Sequence, residues 1–171
     1  HIKTSLFYIG QLIEWPTENK LLNFRRKYTF KEAAPLLIFK KGTQAHLLDG
    51  FKRVALLKHN NKNIAAIEVF KGPPEEAAIL LLSQKESMIT DNTIAKANFL
   101  RLCIIALGCD RDTTITNILP LLHINPHKEN LRAYLTISKL NPTIKNFCQE
   151  KRFSLRQISR ISHFPAQLTQ I

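Results

Sequence analysis

Hydrophobic and polar positions in the first half of the chain predict a small domain of strands and helices. The apolar runs at 36–39 (LLIF) and 45–48 (AHLL) flank a polar turn at 40–43, which predicts a β-hairpin. Residues 51–59 place apolar side chains at spacings suited to a packed helix, and residues 64–70 form another strand-like run. The predicted order is therefore strand, strand, helix, strand.

Gly72-Pro73-Pro74 ends the strand pattern. A helix is predicted after it, from Glu75 to about Gln84. Its first residues are acidic, which suits the positive end of a helix. Residues 91–93 (DNT) then form a polar break with good capping chemistry. We therefore predict an α/β domain over residues 1–92 and an all-helical domain over residues 93–171.

The second half of the chain has the apolar spacing of amphipathic helices. Gly108 is expected to end the first of them, and Pro120 is expected to distort or shorten the second. Ser154-Leu155-Arg156-Gln157 matches a capping box for the last one. The predicted helices are 94–107, 114–122, 128–140, one that restarts at Asn141-Pro142, and one from Ser154 to about Ile161.

The chain is strongly basic, with 25 Lys and Arg against 13 Asp and Glu, a net charge of +12. Residues 1–92 carry 14 basic and 9 acidic residues (net +5), and residues 93–171 carry 11 and 4 (net +7). Such an excess favours polyanionic partners. No apolar run approaches the ~20 residues of a membrane-spanning helix, and three widely spaced cysteines fit a reducing cytosol. We therefore expect a cytoplasmic protein that does not engage membranes.

The turn at Asp49-Gly50 carries candidate phosphate-binding chemistry. Gly50 permits a tight turn and a close approach of the backbone to a ligand, and the helix start that follows offers free N–H groups to an anion. Lys52 and Arg53 add positive charge, and a guanidinium can hold phosphate through two hydrogen bonds. A hairpin turn that runs into a solvated helix explains the same residues without a ligand.

The order of these elements resembles the ParB/sulfiredoxin superfamily over residues 36–86. The matching segments are the strand Leu37-Ile38-Phe39, the loop and helix from Leu47 to Ala55, the strand from Ile64 to Val69, and Glu75-Glu76-Ala77 at the start of the next helix. Sulfiredoxins are similar but place a reactive Cys directly after the loop glycine, where this chain has Phe51. Sulfiredoxin chemistry is therefore not expected, and no catalytic residue is assigned.

Partition ParB proteins use this loop to hold the phosphates of CTP, so the resemblance implies CTP as the ligand. The first two places of their second phosphate motif, E-N-x-Q-R, fall on Gln84 and Lys85. Lys85 can neutralise phosphate, although a solvated lysine at a helix end explains it as well. Because Mg²⁺ prefers carboxylate oxygens, the missing acid argues against a bound metal and against strong CTP hydrolysis. The candidate ligand residues are Asp49, Gly50, Lys52, Arg53 and Lys85.

The predicted helices 114–122 and 128–140, joined by Ile124-Asn125-Pro126, indicate a helix-turn-helix. Arg and Lys pair with guanine or phosphate and Asn pairs with adenine, so the exposed face of the second helix is a candidate DNA-reading face. A solvated amphipathic helix in an ordinary bundle explains this face as well. Its buried face is predicted at Leu131, Leu135 and Ile137. The candidate DNA contacts are Lys128, Asn130, Arg132 and Lys139.

The chain after this motif also resembles ParB proteins, which continue with L-x-L-x-x-L-P and then a helix that ends in x-G-K-L-S. The corresponding stretches are 135–142 (LTISKLNP) and 150–155 (EKRFSL). The chain departs from the family pattern at Pro120, which lies within the first helix, and at His123, which occupies a place usually held by Gly.

We therefore predict an α+β protein in which a ParB/sulfiredoxin-like α/β domain precedes an all-α helix-turn-helix domain. The resemblance implies a nucleoid-associated protein that binds double-stranded DNA in chromosome or plasmid partition, or in transcriptional regulation. It also implies a partition ATPase as partner, and homodimerisation through regions outside this chain or on ligand binding.

Two alternatives of other classes remain open. One is an enzyme of the same superfamily, a small-molecule kinase or a nuclease, that uses the Gly50 loop to hold phosphate. Acidic residues clustered beside the loop would support it, and the sequence has none nearby. The other is a non-catalytic adaptor whose basic faces mediate assembly, and salt-dependent DNA binding would distinguish it from the first prediction.

Overall fold

The structure, a computed structural model, describes residues 35–42, 44–50, 54 and 67–162. The predicted helix 51–59 lies outside this part of the chain except for Val54, which is helical and fully buried. The loop residues Lys52 and Arg53 and the first residues of the predicted strand 64–70 also lie outside it.

The chain divides into two compact units, His1–Leu81 and Leu82–Ile171. In the part that the structure describes, all strands belong to the first unit and the second unit is helical, so the α+β class is confirmed. The division falls inside the helix Pro74–Thr90. The domain boundary between residues 92 and 93 stays a prediction.

The sheet of the first unit has the strand order β2-β1-β3, formed by β1 (Leu36–Lys41), β2 (Gln44–Leu47) and β3 (Ile67–Phe70). β1 and β2 are antiparallel and β1 and β3 are parallel, which confirms the predicted hairpin and the later strand. Ile38 lies opposite Leu47 in one pair and opposite Val69 in the other. Ile38 is fully buried because it lies in the central strand, so the sheet is anchored there.

The helix α1 (Pro74–Thr90) begins where the sequence predicts, with Pro in its first position and Glu75 and Glu76 in its first turn. Lys85 interrupts it with non-helical backbone angles, φ −129° and ψ 17°. The predicted end near Gln84 coincides with this kink, and a second helical segment follows it to Thr90. Ile89 is buried, which gives the resumed turn an apolar anchor.

The second unit confirms the predicted series of helices, with differences at their ends. Gly108 ends the first continuous helical stretch, residues 93–107, and adopts a left-handed conformation, φ 83°. Its N–H donates to the Cys103 carbonyl at 3.0 Å. The elements are α2 (Thr93–Arg101), which continues as the π-helix π1 (Leu102–Leu107), then α3 (Arg111–Thr113), π2 (Thr114–Ile118) and α4 (Leu119–Leu121) in direct succession, then α5 (Lys128–Ile137), α6 (Pro142–Glu150) and α7 (Leu155–Ser162).

The core of the second unit centres on α5, because α2 packs against both α5 and α6, and α7 also packs against α5. Apolar side chains from each of these helices are buried together, and burial of such side chains is the main stabilising term in folding. The fully buried side chains include Leu100, Leu102, Leu107, Ile118, Leu119, Leu122 and Ile158.

Side-chain caps fix the helix starts as the sequence predicts. The Asn92 side chain accepts a hydrogen bond from the Ala95 N–H at 2.8 Å, and Asn141 accepts one from the Thr143 N–H at 2.8 Å. The capping box before α7 is also confirmed, since the Ser154 N–H donates to Gln157 Oε1 at 2.8 Å and the Gln157 N–H donates to Ser154 Oγ at 3.4 Å. These local pairs set where each helix begins.

Candidate nucleic-acid interface

The first helix of the predicted helix-turn-helix is built from α3, π2 and α4 and spans residues 111–121. Asp110 precedes it, and its carboxylate accepts a hydrogen bond from the Thr113 N–H at 3.0 Å. This hydrogen bond lowers the pKa of the Asp110 carboxyl. The helix ends at Leu121, directly after Pro120, as expected for a proline that shortens it.

The turn between the two helices, residues 122–127, is closed by backbone hydrogen bonds. The Ile124 N–H donates to the Leu119 carbonyl at 3.0 Å, and the His127 N–H donates to the Asn125 carbonyl at 2.8 Å. His123 is left-handed here, with φ 56°. Because glycine adopts this conformation without the strain that a Cβ brings, the backbone at position 123 would suit a glycine.

The second helix, α5, separates a buried face from an exposed basic face. Leu131, Tyr134 and Ile137 are buried, whereas Leu135 is half-buried. The prediction that Leu135 belongs to the buried face is therefore corrected in favour of Tyr134. Positions 131, 134 and 137 are three residues apart and share one side of a helix.

Lys128 and Arg132 are exposed and four residues apart in the N-terminal half of α5, so they lie on the same face. This half of a recognition helix is the part that contacts base edges in helix-turn-helix proteins. The structure thus brings together two of the candidate DNA contacts in the orientation that the sequence predicts.

Asn130 is placed differently from the sequence prediction. It is half-buried, and its side-chain Nδ2 donates to the Asn125 carbonyl at 2.9 Å. It therefore lies on the exposed face only in part, because its amide fastens the turn to the start of α5. An adenine contact by Asn130 stays a prediction.

Lys139 is exposed but lies beyond the end of α5, which stops at Ile137 instead of the predicted Leu140. The chain leaves the helix through a turn in which the Lys139 N–H donates to the Thr136 carbonyl at 3.0 Å. Ser138 is buried in this turn, and its hydroxyl donates to the Leu135 carbonyl at 2.6 Å. Lys139 is therefore positioned by the turn and not by the helix.

The end of α5 is held by two cations that the sequence analysis does not identify. Lys145 Nζ donates to the Ser138 carbonyl at 2.5 Å and to Asn98 Oδ1 at 3.5 Å, and Arg101 Nη1 donates to the same carbonyl at 3.4 Å. Burial, and next the charge of Arg101, lower the pKa of the Lys145 ammonium. Both cations thereby tie α2 and α6 to the C-terminus of α5, whose partial negative charge they complement.

The predicted phosphate loop is described at its first two residues and at Val54. Gly50 is buried and left-handed, with φ 95°, and its carbonyl accepts a hydrogen bond from the Val54 N–H at 2.9 Å. The Asp49 N–H donates to the Leu37 carbonyl at 3.2 Å, which joins the loop to β1. The turn conformation at Gly50 is thus as expected, and phosphate binding by this loop stays a prediction.

Lys85, the remaining candidate phosphate contact, is half-buried at the kink of α1, beside the exposed Gln84. It belongs to the second unit, whereas Asp49 and Gly50 belong to the first. The proposed contact of Lys85 with phosphate stays a prediction.

Within the ranges 35–42, 44–50, 54 and 67–162, no group of three or more His, Cys, Asp or Glu side chains is arranged to hold a metal ion. Within the same ranges, no helix is long and apolar enough to cross a membrane.

Comparison with known proteins gives a similarity in structure but none in sequence. No protein-family model matches the chain, and no curated protein matches it in sequence. Among solved structures it is similar to the C-terminally truncated chromosome-partitioning protein ParB from Caulobacter crescentus, crystallised with the centromeric parS site. The match covers 90% of this chain and 78% of that chain, with 9% identity and a TM-score of 0.42. These values assign no family, so the ParB-like interpretation depends on the sequence motifs.

Proposed function

We propose that the chain binds double-stranded DNA and that α5 is the recognition helix. The observation that carries this proposal is the exposed pair Lys128 and Arg132 at the start of a helix that is buried on its other side. The preceding helix and the closed turn 122–127 supply the rest of a helix-turn-helix. The net charge of +7 over residues 93–171 favours a polyanion as partner.

The role of each side chain follows from its chemistry. Arg132 can present a planar fork to O6 and N7 of guanine in the major groove, a common specific contact. Lys128 and Lys139 carry compact charges without a fixed fork, so they are assigned to phosphate oxygens. Phosphate contacts set affinity and register, and the contact of Arg132 sets base preference.

Selection of bound duplexes from a random pool by the full chain tests this proposal. A recovered consensus supports sequence-specific binding and supplies the site for further measurements. Retention of duplexes without enrichment would limit the function to binding of the DNA backbone. Failure to retain any duplex at low salt would reject the proposal in favour of an adaptor whose basic faces contact proteins.

A second proposal concerns the Gly50 loop, which we assign to phosphate binding with CTP as the first ligand to test. It is supported by the left-handed Gly50 and by the hydrogen bond that the Val54 N–H donates to the Gly50 carbonyl. Lys52 and Arg53 follow directly in sequence and would supply the charge. Repeating the duplex selection with and without each nucleoside triphosphate tests whether a nucleotide changes DNA binding.

The biological role that we propose is partition of a chromosome or plasmid, with transcriptional regulation as the other use of a sequence-specific DNA-binding protein. This role depends on the motif resemblance alone. The genomic position of the selected consensus distinguishes the two, since partition sites cluster near replication origins or on plasmids and operators lie at promoters.

A further inference from the structure

A row of exposed cations follows α6 and continues along α7. Lys151 and Arg152 lie in the turn between the two helices, and Arg156 and Arg160 lie four residues apart on α7. No acidic residue occurs from Lys151 to Ser162, although Glu150 directly precedes the row. We call Lys151, Arg152, Arg156 and Arg160 the α7 cation row.

The orientation of α7 is fixed by packing. Ile158, which lies between Arg156 and Arg160 in the sequence, is fully buried. Helix α7 contacts α5 within the second unit. Because residues four apart share a helix face, Arg156 and Arg160 point to the same side, while Ile158 anchors the other. The row is therefore a fixed charged surface on a helix that adjoins the recognition helix.

Helix stability does not account for Arg156. Arg156 lies in the first turn of α7, which contains no acidic residue. A cation at this end faces the partial positive charge of the helix N-terminus, which is unfavourable. Residues that oppose local stability are expected where they serve a function. Lys151, Arg152 and Arg160 differ in this respect, because they lie at the favourable C-terminal ends of α6 and α7.

The geometry of a groove-bound helix suggests which ligand the row meets. The axes of packed helices are about 8–10 Å apart, and the major groove is about 12 Å wide between its phosphate backbones. A helix that adjoins a groove-bound α5 can therefore lie over one of the flanking backbones. Arginines are suited to this position because a guanidinium binds phosphate oxygens through paired hydrogen bonds.

We propose that the α7 cation row is a second contact surface for duplex phosphates, used together with α5. This inference depends on the proposed DNA-binding function. It assigns the row to affinity and to docking register and leaves base preference to α5, because phosphate contacts carry no direct sequence information.

The test compares the full chain with the double variant Arg156→Gln/Arg160→Gln and the charge-preserving control Arg156→Lys/Arg160→Lys. Fluorescence anisotropy gives the affinity for a consensus duplex and for a scrambled duplex across a salt series. Loss of two phosphate contacts should reduce the magnitude of the log–log salt slope by about 1.8. The glutamine variant should weaken binding to both duplexes by the same factor, and the lysine control should retain the parental slope.

The possible results distinguish a failure of the α7 cation row from a failure of the proposed DNA-binding function. A parental chain that binds no duplex would overturn both. A parental chain that binds DNA, with a glutamine variant of unchanged slope, would overturn only the role of the row. A glutamine variant that loses discrimination between the two duplexes would also overturn it, since the row would then read bases. Thermal unfolding controls for folding, and little net change in stability is expected, because Arg156 opposes the helix dipole while Arg160 complements it.

Discussion

Lys145 Nζ donates a hydrogen bond to the Ser138 carbonyl at 2.5 Å and thereby fastens α6 to the end of α5. Arg101 donates to the same carbonyl from α2, at 3.4 Å. Helix α5, the proposed recognition helix, is thus held at its C-terminus by two neighbouring helices, while its N-terminal half presents the exposed Lys128 and Arg132. Such support matters because a DNA-reading side chain must be held in place by the residues around it.

Replacing Lys145 with Met should remove this hydrogen bond while keeping an apolar stem of similar length. A hydrogen bond from a charged group contributes typically about 1.5–3 kcal/mol, and partial exposure of Lys145 reduces that value, so a loss of about 1–2 kcal/mol is expected. Chemical unfolding of the full chain without DNA measures it. Lys139→Met is the matched control and should stay within about 0.5 kcal/mol of the parent. Equal values for the two variants would contradict the anchoring role of Lys145.

The stability of the chain should fall in mild acid because of His46 on β2. His46 is 1% exposed, and among the described residues neither ring nitrogen has a hydrogen-bond partner. Burial, and next the charge of Lys41, lower the pKa of His46 from its ordinary value of 6.5. As the pH falls below 6.5, His46 therefore binds a proton in the unfolded chain more readily than in the folded chain. The free energy of unfolding decreases as a result.

Chemical unfolding between pH 7.5 and 5 tests this effect. The slope due to one such histidine is at most about 1.4 kcal/mol per pH unit. His46→Leu should unfold with a shallower dependence on pH than the parent, and the two curves should run parallel above the unfolded pKa. Identical pH dependence in both proteins would show that His46 does not control acid sensitivity.

Duplex binding by the full chain should weaken steeply with added salt. Each phosphate neutralised by a lysine or arginine releases counterions, which gives a log–log slope of magnitude about 0.9 per contact. Anisotropy titrations between about 50 and 200 mM salt measure this slope. Binding that does not respond to salt would mean that the basic residues of the second unit do not touch phosphates.

The Gly50 loop is expected to bind CTP without hydrolysing it efficiently. Arg53→Ala should reduce CTP binding in calorimetry, because the guanidinium is the expected bidentate phosphate contact. Mg²⁺ should change the affinity little, since Gln84 replaces the expected carboxylate. Arg111→Ala, in the second unit and away from the loop in sequence, is the control. Rapid phosphate release would show that another acid serves a metal, and no binding in the parent would mean that the loop serves the fold alone.

Local features could be predicted from the sequence because their causes lie within a few residues. Asn92, Asn141 and the Ser154–Gln157 pair cap helices whose starts they mark in the sequence. The left-handed turn at Gly50 is likewise implied by the Asp-Gly pair.

Features that depend on packing between distant segments could not be predicted. The contact of Arg101 with Ser138 joins residues 37 positions apart, and no local pattern pairs them. The choice between Tyr134 and Leu135 as the buried residue depends on how α5 is rotated against its neighbours, and the apolar spacing fits both. The helix end predicted near Gln84 coincides with the kink at Lys85, but the helical segment that follows the kink is not predicted.

Some of the candidate DNA contacts are placed as the sequence predicts, and Asn130 is placed differently. Lys128 and Arg132 are exposed as predicted, because a helix that buries Leu131 directs these positions outward. Asn130 was expected beside them, but it faces the turn because position 130 lies far around the helix from position 128. Helical geometry alone could have identified this difference.

The measurement that tests the account most directly is the affinity of Arg132→Ala for the selected duplex and for each of its single-base-pair variants, beside the parent and Lys139→Ala. Arg132→Ala should lose about 1–3 kcal/mol on the consensus and should lose base preference at one position. Lys139→Ala should weaken binding to all duplexes by a similar factor. If Arg132→Ala instead keeps the base preference of the parent at every position, α5 does not read the sequence and the central claim is contradicted.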